Sequence, residues 1–122
     1  MSEETFLFDT YALMEIINEN PNYNKYTEKN TIINDFIFAE LCYSLTKDKA
    51  KKSAEITDQL KSAILHAKPE WIKEAMEFRV KWKDRGVSVT DCIGYIMSQK
   101  LGIKFLTGDK EFENLENVEF VK

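Results

Sequence analysis

The sequence predicts an α/β domain in which helices cover a parallel sheet. Short apolar runs of strand length alternate with segments of helical periodicity, which is the pattern of parallel strands joined by helices. The chain has 122 residues, of which 43% are hydrophobic and 12% aromatic, enough for a substantial core. Because the chain has no internal repeat, low-complexity stretch or second domain, residues 1–122 are predicted to form a single domain.

The N-terminal part predicts a strand, a helix and a surface segment. Thr5–Phe8 is a short apolar run, typical of a buried strand. Residues 11–18 have apolar side chains at helical spacing, and Thr10 stands where an N-cap is expected. The polar stretch 20–30 predicts a loop or a short helix over the surface.

The middle of the chain predicts a second strand and two helices. Residues 31–33 form the strand, and Asn34 or Asp35 can cap the helix that runs from Phe36. Residues 48–62 form a more polar helix with a thin apolar stripe.

The next segment predicts a third strand and an amphipathic helix. Residues 63–67 form the strand, and a proline suited to a first helical turn then opens a helix over residues 69–83. Trp71 and Trp82 lie on its apolar face, and the helix is predicted to end at Gly86.

The C-terminal part predicts three strands around one helix. Residues 87–89 form a strand, and the helix that contains Asp91 ends at Gly102, a natural residue for that position. Residues 103–107 and 118–121 form the last two strands.

The net charge is −4, from 17 basic and 21 acidic residues, so no overall basic field attracts nucleic acid. A nucleic-acid partner would need a bound metal or local basic patches. Two basic clusters are present, and they are either solvated helix faces or phosphate contacts. The residues with the clearest potential for RNA contact are Lys49, Lys51, Lys52, Arg79 and Arg85.

Several classes of site and location are disfavoured. Cys42 and Cys92 belong to no CxxC motif and the chain has one histidine, His66, which argues against a zinc site. The first residues lack the basic region of a signal peptide, and no apolar run reaches the length of a membrane span. We therefore expect a cytoplasmic protein with no membrane partner.

Four carboxylates share one pattern. Asp9 closes the first predicted strand and Asp109 closes the strand at 103–107, Asp91 opens a helix after a strand, and Glu40 is the only charge in residues 36–46. Because ligands collect at the carboxyl ends of parallel strands, three strand ends and one helix face could bring these acids together. Clustered carboxylates raise one another's pKa, and a divalent cation removes that repulsion. Oxygen ligands without His or Cys favour Mg²⁺ or Mn²⁺, which activate water for phosphoryl displacement.

Each acid also has an ordinary structural interpretation. Asp9 and Asp109 can be turn formers, and Asp91 can simply cap its helix. Glu40 has the weakest such alternative, because a glutamate in an apolar helix requires a partner and the nearest lysines lie beyond the next turn.

The ordered motifs FLFDT, FIFAEL, VSVTDCIGYIMSQKLGI and FLTGDKEF, which contain these acids, resemble those of the PIN-domain ribonucleases. The resemblance covers residues 6–121, and its nearest sub-type is the small toxin of the VapBC kind. Its most specific part is the C-terminal pair, a TD-helix followed by a strand that ends in TGDKEF.

The resemblance implies a three-layer α/β/α fold with a central parallel sheet of order 3-2-1-4-5. It implies an Mg²⁺- or Mn²⁺-dependent endoribonuclease, a toxin with an antitoxin partner or a solitary RNA-processing enzyme, that hydrolyses RNA with metal-activated water. The matching metal-binding and catalytic positions are Asp9, Glu40, Asp91 and Asp109. Thr10 and Thr107 match positions where a hydroxyl supports the site, although such threonines are also common as caps or strand residues.

Two other functions remain open. A catalytically silent PIN-like module could bind RNA or protein without cutting, although the intact acids argue against it. An aspartate-nucleophile phosphatase or receiver-like domain would use Asp9 after the first strand, but no lysine is well placed after a later strand.

The chain is also expected to form a homodimer. The helices at residues 35–47 and 69–83 carry wider apolar arcs than one face of a small sheet requires. The PIN toxins that the chain resembles also commonly dimerise, and two-fold dimers are the commonest oligomers.

Overall fold

The computed structural model describes residues 4–122 and confirms the α/β class. In chain order the helices and strands are β1 (Thr5–Phe8), α1 (Thr10–Ile17), β2 (Asn30–Ile32), α2 (Asp35–Lys47), α3 (Ser53–Leu60), α4 (Pro69–Lys81), α5 (Val89–Leu101), β3 (Lys104–Thr107) and β4 (Val118–Phe120). The strands form one parallel sheet in the order β2-β1-β3-β4. Residues 1–3, which belong to the predicted 1–122 domain and to the segment judged not to be a signal peptide, lie outside the described residues.

Strand β1 is central and is buried on both of its faces. Phe6 and Phe8 project to one face, where the α1 side chains and Tyr26 pack against them. Leu7 and its register partner Phe105 project to the other face, beneath α5. An apolar run without alternation is what a strand covered on both faces requires, so the predicted three-layer arrangement is confirmed.

The strand predicted at residues 63–67 is reduced to a single bridge. Ile64 pairs in parallel with Ile33, at the edge of the sheet beyond β2. The Ile33 N–H donates to the Ala63 carbonyl at 3.0 Å, and the Leu65 N–H donates to the Ile33 carbonyl at 2.8 Å. A short helical turn precedes this bridge, and Leu65 is 38% exposed, so little apolar burial extends the pairing. The predicted order 3-2-1-4-5 therefore holds, with its third strand present only as the bridge.

The prediction of a strand at residues 87–89 is wrong. Gly86 adopts a left-handed conformation with φ of 69°, and α5 begins only three residues later. Ser88 is its N-cap and accepts a hydrogen bond from the Asp91 N–H at 3.0 Å. Val87 still enters the core, at 3% exposure, but as a loop residue. Capping chemistry has overridden the β-branched propensity of the two valines.

Three predicted boundaries also move. Asp9, and not Thr10, caps α1. The helix predicted at 48–62 shrinks to α3, because Asp48 ends α2 and Lys49 takes a positive φ of 53°. The helix predicted to reach residue 83 ends at Lys81 and continues as a short 3₁₀ turn. Gly102 ends α5 in the left-handed conformation, as predicted.

The polar segment 20–30 contains a 3₁₀ helix at Pro21–Tyr26, in line with the predicted short surface helix. Tyr23 and Tyr26 are only 0% and 2% exposed, since Tyr26 packs on Phe6 and Tyr23 packs on the rings of Tyr11 and Tyr26. No helix within residues 4–122 combines the length and apolar character needed to cross a bilayer.

Candidate active site

Asp9 lies at the carboxyl end of β1, beside the end of β3. Its main-chain N–H continues the parallel ladder by donating to the Leu106 carbonyl at 3.2 Å. One carboxylate oxygen accepts the Ala12 N–H at 2.8 Å, and the other accepts the Thr107 hydroxyl proton. Asp9 is only 1% exposed, so the strand ends and the start of α1 fix this carboxyl group in the interior.

The electrostatic state of Asp9 is unusual for an aspartate. Burial is the largest influence and raises its pKa to about 8, against the lowering effect of the hydrogen bonds from Thr107 and Ala12. The negative charges of Asp91 and Asp109 raise it further. Without a compensating cation, the protein therefore resists ionisation of this group near neutral pH.

Asp91 lies in the first turn of α5, where the helix dipole favours a negative charge. Burial raises its pKa to about 6, the Ser88 hydroxyl opposes that rise, and Asp109 and Glu40 reinforce it. Asp9 is thus within electrostatic reach of Asp91 and Asp109, and Asp91 is within reach of Asp109 and Glu40.

Glu40 has the hydrogen-bond partner that its position in an apolar helix was predicted to require. The Thr10 hydroxyl donates to its carboxylate at 2.7 Å, which links α2 to the first residue of α1. Thr10 thus serves the candidate site and not the helix cap. The two threonines that the resemblance indicated each donate a hydrogen bond to a different one of the four acids.

Asp109 is held by the turn that follows β3. Its N–H donates to the Thr107 hydroxyl oxygen at 3.0 Å, and its carboxylate accepts the Glu111 N–H at 3.0 Å. Gly108 permits this turn, because a Cβ there would lie 2.1 Å from the Tyr11 ring and 2.6 Å from the Val121 carbonyl oxygen. Thr107 therefore organises two acids at once, Asp9 through its proton and Asp109 through its oxygen.

The four acids are brought to one edge of the sheet without a basic partner. Among residues 4–122, none of them takes part in an ion pair. Over the same residues, no group of three His, Cys, Asp or Glu side chains is arranged as it stands to hold a metal ion. The carboxylate oxygens of Asp9, Glu40 and Asp109 are instead held by threonine hydroxyls or main-chain N–H groups.

The basic residues predicted for RNA contact occupy two separate surfaces. Lys49, Lys51 and Lys52 are exposed in the connection between α2 and α3. Arg79 donates from Nε to the Val87 carbonyl at 3.1 Å, at the wall of a cavity of about 540 Å³ that Ser88 also lines. This cavity therefore reaches the residue that caps the Asp91 helix.

Arg85 is held more tightly than a free surface cation. Its guanidinium stacks 3.8 Å from the Trp82 ring centroid, and a terminal N–H donates to the Glu111 carbonyl at 3.3 Å. Of the five residues predicted to contact RNA, Arg85 therefore has both a ring contact and a hydrogen bond within the protein.

Two residues that shape this region, Ser88 and Gly108, were not predicted from the sequence. Ser88 stands three residues before Asp91, and this S-x-x-D spacing is the signature of a capping box that would have placed the helix start correctly. Gly108 offered only an ordinary Gly-Asp turn, and the close approach of Tyr11 that requires a glycine is not visible in sequence.

The chain matches the family model of the PIN domain over residues 6–118. Among solved structures it is similar to VapC20 of Mycobacterium tuberculosis, described as a sarcin-ricin loop cleaving toxin, with TM-score 0.77, 15% identity and coverage of 96% of this chain and 99% of that one. A toxin–antitoxin complex from Klebsiella pneumoniae gives TM-score 0.75 at 18% identity, covering 93% and 94% of the two chains. VapBC2 of Rickettsia felis, bound to a promoter DNA fragment, gives 0.71 at 17%, covering 97% and 99%.

Curated protein sequences give no significant match. At these identities the structural likeness establishes the fold, and the activity of this chain has to be argued from its own residues.

Proposed function

The chain belongs to the PIN domain family, and on that premise we propose that it is a divalent-metal-dependent endoribonuclease. The observation that carries the proposal is that Thr107 hydrogen-bonds to both Asp9 and Asp109, at the ends of β1 and β3. Burial and the charges of neighbouring acids also raise the pKa values of Asp9 and Asp91. A bound cation would offset both the desolvation of these carboxylates and their mutual repulsion. Asp9, Asp91 and Asp109 are the proposed metal ligands, and Glu40 either joins them or orients the attacking water.

The donor set fits Mg²⁺ or Mn²⁺. All four side chains offer oxygen, the preferred ligand of both ions, and the threonine hydroxyls fix the orientation of two of them. The bound ion would neutralise charge on the phosphate and activate water. Because no three-ligand group stands ready in the described residues, we expect the acids to reorient when the ion binds.

The reaction proposed is hydrolysis of an RNA phosphodiester. The water oxygen bonds to phosphorus, one phosphorus–oxygen ester bond breaks, and the leaving oxygen takes a proton. Thr107 keeps the Asp9 carboxylate in place at the end of β1, and Thr10 keeps Glu40 turned toward the same edge. Ser88 fixes the start of α5 and with it the position of Asp91.

The two basic surfaces provide the positive charge for RNA binding that the chain, with its net charge of −4, otherwise lacks. Lys49, Lys51 and Lys52 on one side and Arg79 and Arg85 on the other are proposed to contact RNA phosphates. Each is exposed, and ammonium and guanidinium groups are the usual phosphate partners.

Replacement of Asp9 or Asp91 by Asn tests the proposal, because Asn keeps the shape of the side chain and removes its charge. Each variant should fold, as judged by its circular dichroism spectrum, and lose RNA cleavage in Mg²⁺ or Mn²⁺. The exposed Asp84 changed to Asn is the matched control and should cut RNA like wild type. Wild-type cleavage by Asp91→Asn would remove the assignment.

A second function, a silent PIN-like module, is favoured by the lack of a ready three-ligand group in residues 4–122. Calorimetric titration with Mn²⁺ separates the two. Absence of binding at millimolar metal, together with absence of cleavage, would support the binding module. Millimolar or tighter binding that Asp91→Asn weakens would support the nuclease.

We further propose that the chain is the toxin of a toxin–antitoxin pair, supported by likeness to the Klebsiella pneumoniae and Rickettsia felis complexes. The test is co-purification with the product of an adjacent gene for a small DNA-binding protein. A stable complex that suppresses cleavage is expected. Cleavage that no neighbouring product suppresses would favour a solitary RNA-processing enzyme.

A further inference from the structure

We propose that Tyr43 and Lys47 form a subsite for an unpaired nucleotide of the RNA beside the bond that is cut, which rests on the endoribonuclease function proposed above. Tyr43 lies on α2 and is 68% exposed, a high value for a large aromatic side chain. Packing of the core therefore does not explain its presence. Single exposed apolar residues are common, so the case depends on what surrounds this one.

The surroundings of Tyr43 belong to the candidate active site. A surface cavity of about 400 Å³ is lined by Thr10, Ala39, Glu40, Tyr43 and Ser44. Tyr43 follows Glu40 by three residues, so both project from the same side of α2. A ring that stacks a base here would hold the attached phosphodiester within about one nucleotide of the Thr10–Glu40 pair.

A positive charge accompanies the ring. The Lys47 ammonium lies 5.7 Å from the centroid of the Tyr43 ring, one helical turn further along α2. Among residues 4–122, Lys47 is in no ion pair with a carboxylate. The ammonium lies over one face of this exposed ring and leaves the opposite face for a base. That arrangement matches a nucleotide, whose base stacks on the ring and whose phosphate takes the charge.

The same surface continues away from the site. After Lys47 the chain presents Lys49, Lys51 and Lys52, all exposed. An RNA strand with one base on Tyr43 could therefore run along these lysines. Bases inside a duplex do not expose a face for stacking, so the subsite selects a single-stranded or looped segment.

The stacking role is tested by RNA binding in an Asp91→Asn background, in which cleavage is removed for every variant alike. The probe is a short single-stranded RNA that carries 2-aminopurine. Tyr43→Leu should weaken binding by roughly 5- to 100-fold, the range for loss of one base stack, and should abolish stacking-dependent quenching of the probe. Tyr43→Phe keeps the aromatic face and should stay within about twofold of the parent.

Phe36→Leu is the matched control. It makes the same kind of change in a partly exposed aromatic residue of the same helix, outside the cavity. It should leave both RNA affinity and quenching unchanged.

The role of Lys47 is tested by salt dependence. Lys47→Gln should reduce the slope of log affinity against log salt concentration by about 0.7, as for one phosphate contact on a single strand. Tyr43→Leu should leave that slope unchanged, because stacking releases no counterion.

The outcomes separate this subsite from the proposed function. If Tyr43→Leu leaves RNA affinity unchanged in the Asp91→Asn background while the wild-type protein cuts RNA, the subsite is wrong and the nuclease proposal is unaffected. A wild-type protein that neither binds nor cuts RNA overturns both. If Tyr43→Leu changes only the sedimentation of the protein or its capture of a protein partner, the ring belongs to a protein interface and the subsite is wrong.

Discussion

Asp9 has a structural role in the fold, and its burial opposes the ionised form that a metal ligand requires. It caps α1 and ends β1, yet burial raises the pKa of its carboxyl to about 8. Between about pH 4 and pH 8 the folded state holds a proton that the unfolded state has released. The unfolded state then binds fewer protons, so the free energy of unfolding must fall as pH rises through this window.

We expect the metal-free wild type to lose about 2 kcal/mol of stability from pH 5 to pH 8, since one pKa unit is worth about 1.4 kcal/mol and local relaxation reduces the cost of burial. Asp9→Asn should flatten this dependence, because the amide has no charge to desolvate. Urea denaturation in EDTA at several pH values measures it. Mg²⁺ should restore part of the loss at pH 8, and the exposed Asp84→Asn should follow wild type.

An equal decline with pH in wild type and Asp9→Asn would show that Asp9 is not the group responsible. Asp91, with its pKa raised to about 6, contributes only in the lower part of the range, up to roughly pH 6. The shape of the curve above pH 6 therefore isolates Asp9.

At the residue scale the sequence predicted the charges better than their partners. Asp9, Glu40 and Asp91 were visible because each interrupts an apolar segment, where an isolated charge needs a reason, and Asp109 was visible because it closes a predicted strand. The hydrogen bond from Thr10 to Glu40 joins residues 30 positions apart and follows from tertiary packing alone. Tyr43 was not distinguished, because sequence shows the apolar character of α2 and not which side chain stays outside the core.

At the element scale the errors fall where apolar runs compete with local turn chemistry. Residues 63–67 and 87–89 have strand-like composition, but the first lies at the sheet edge and the second beside a left-handed glycine and a serine cap. Strands β1 and β3 were predicted well because their central residues, Phe6–Phe8 and Phe105–Leu106, are buried and apolar. Position in the sheet, which sequence does not state, decides between these outcomes.

The packing of α5 on the sheet gives a prediction for this scale. A Cβ on Gly94 would lie 3.0 Å from the Phe105 ring, 3.4 Å from Leu7 and 3.5 Å from the Ile37 side chain. Phe105 is fully buried between other aromatic rings and has little freedom to move. Gly94→Ala should therefore cost about 1–2 kcal/mol, with overpacking outweighing the gain of about 1 kcal/mol in helix propensity.

Chemical denaturation measures this cost, and a double-mutant cycle assigns it to the named contact. Phe105→Leu makes room beneath the helix, so Gly94→Ala should cost less in that background than in wild type. Additive effects of the two changes would place the strain elsewhere. Because α5 carries Asp91, the single variant should also cut RNA more slowly than wild type.

At the scale of the whole molecule, the structure shows how the apolar arc of α4, one of the two predicted interface helices, is used. Trp71, Phe78 and Trp82 of the α4 region are half-buried and pack against the core, so part of that arc is already covered. Val80 and Val89 remain 68% and 40% exposed on α4 and α5. The surface around Val80 is thus the part of the predicted dimer face that α4 still offers to a second copy.

The homodimer is the last prediction. Sedimentation at micromolar concentration should give a species of about 28 kDa, twice the 14.3 kDa chain, with an interface of order 1,000 Å² or more. Val80→Glu places a charge in that face and should shift the equilibrium toward monomer, whereas Leu65→Glu, at the far edge of the sheet, should not. Two acidic sites with their basic surfaces would then flank one RNA track, so the monomeric variant should also bind long RNA more weakly. A single 14.3 kDa wild-type species at the same concentration would remove the dimer and leave the exposed valines as isolated surface residues.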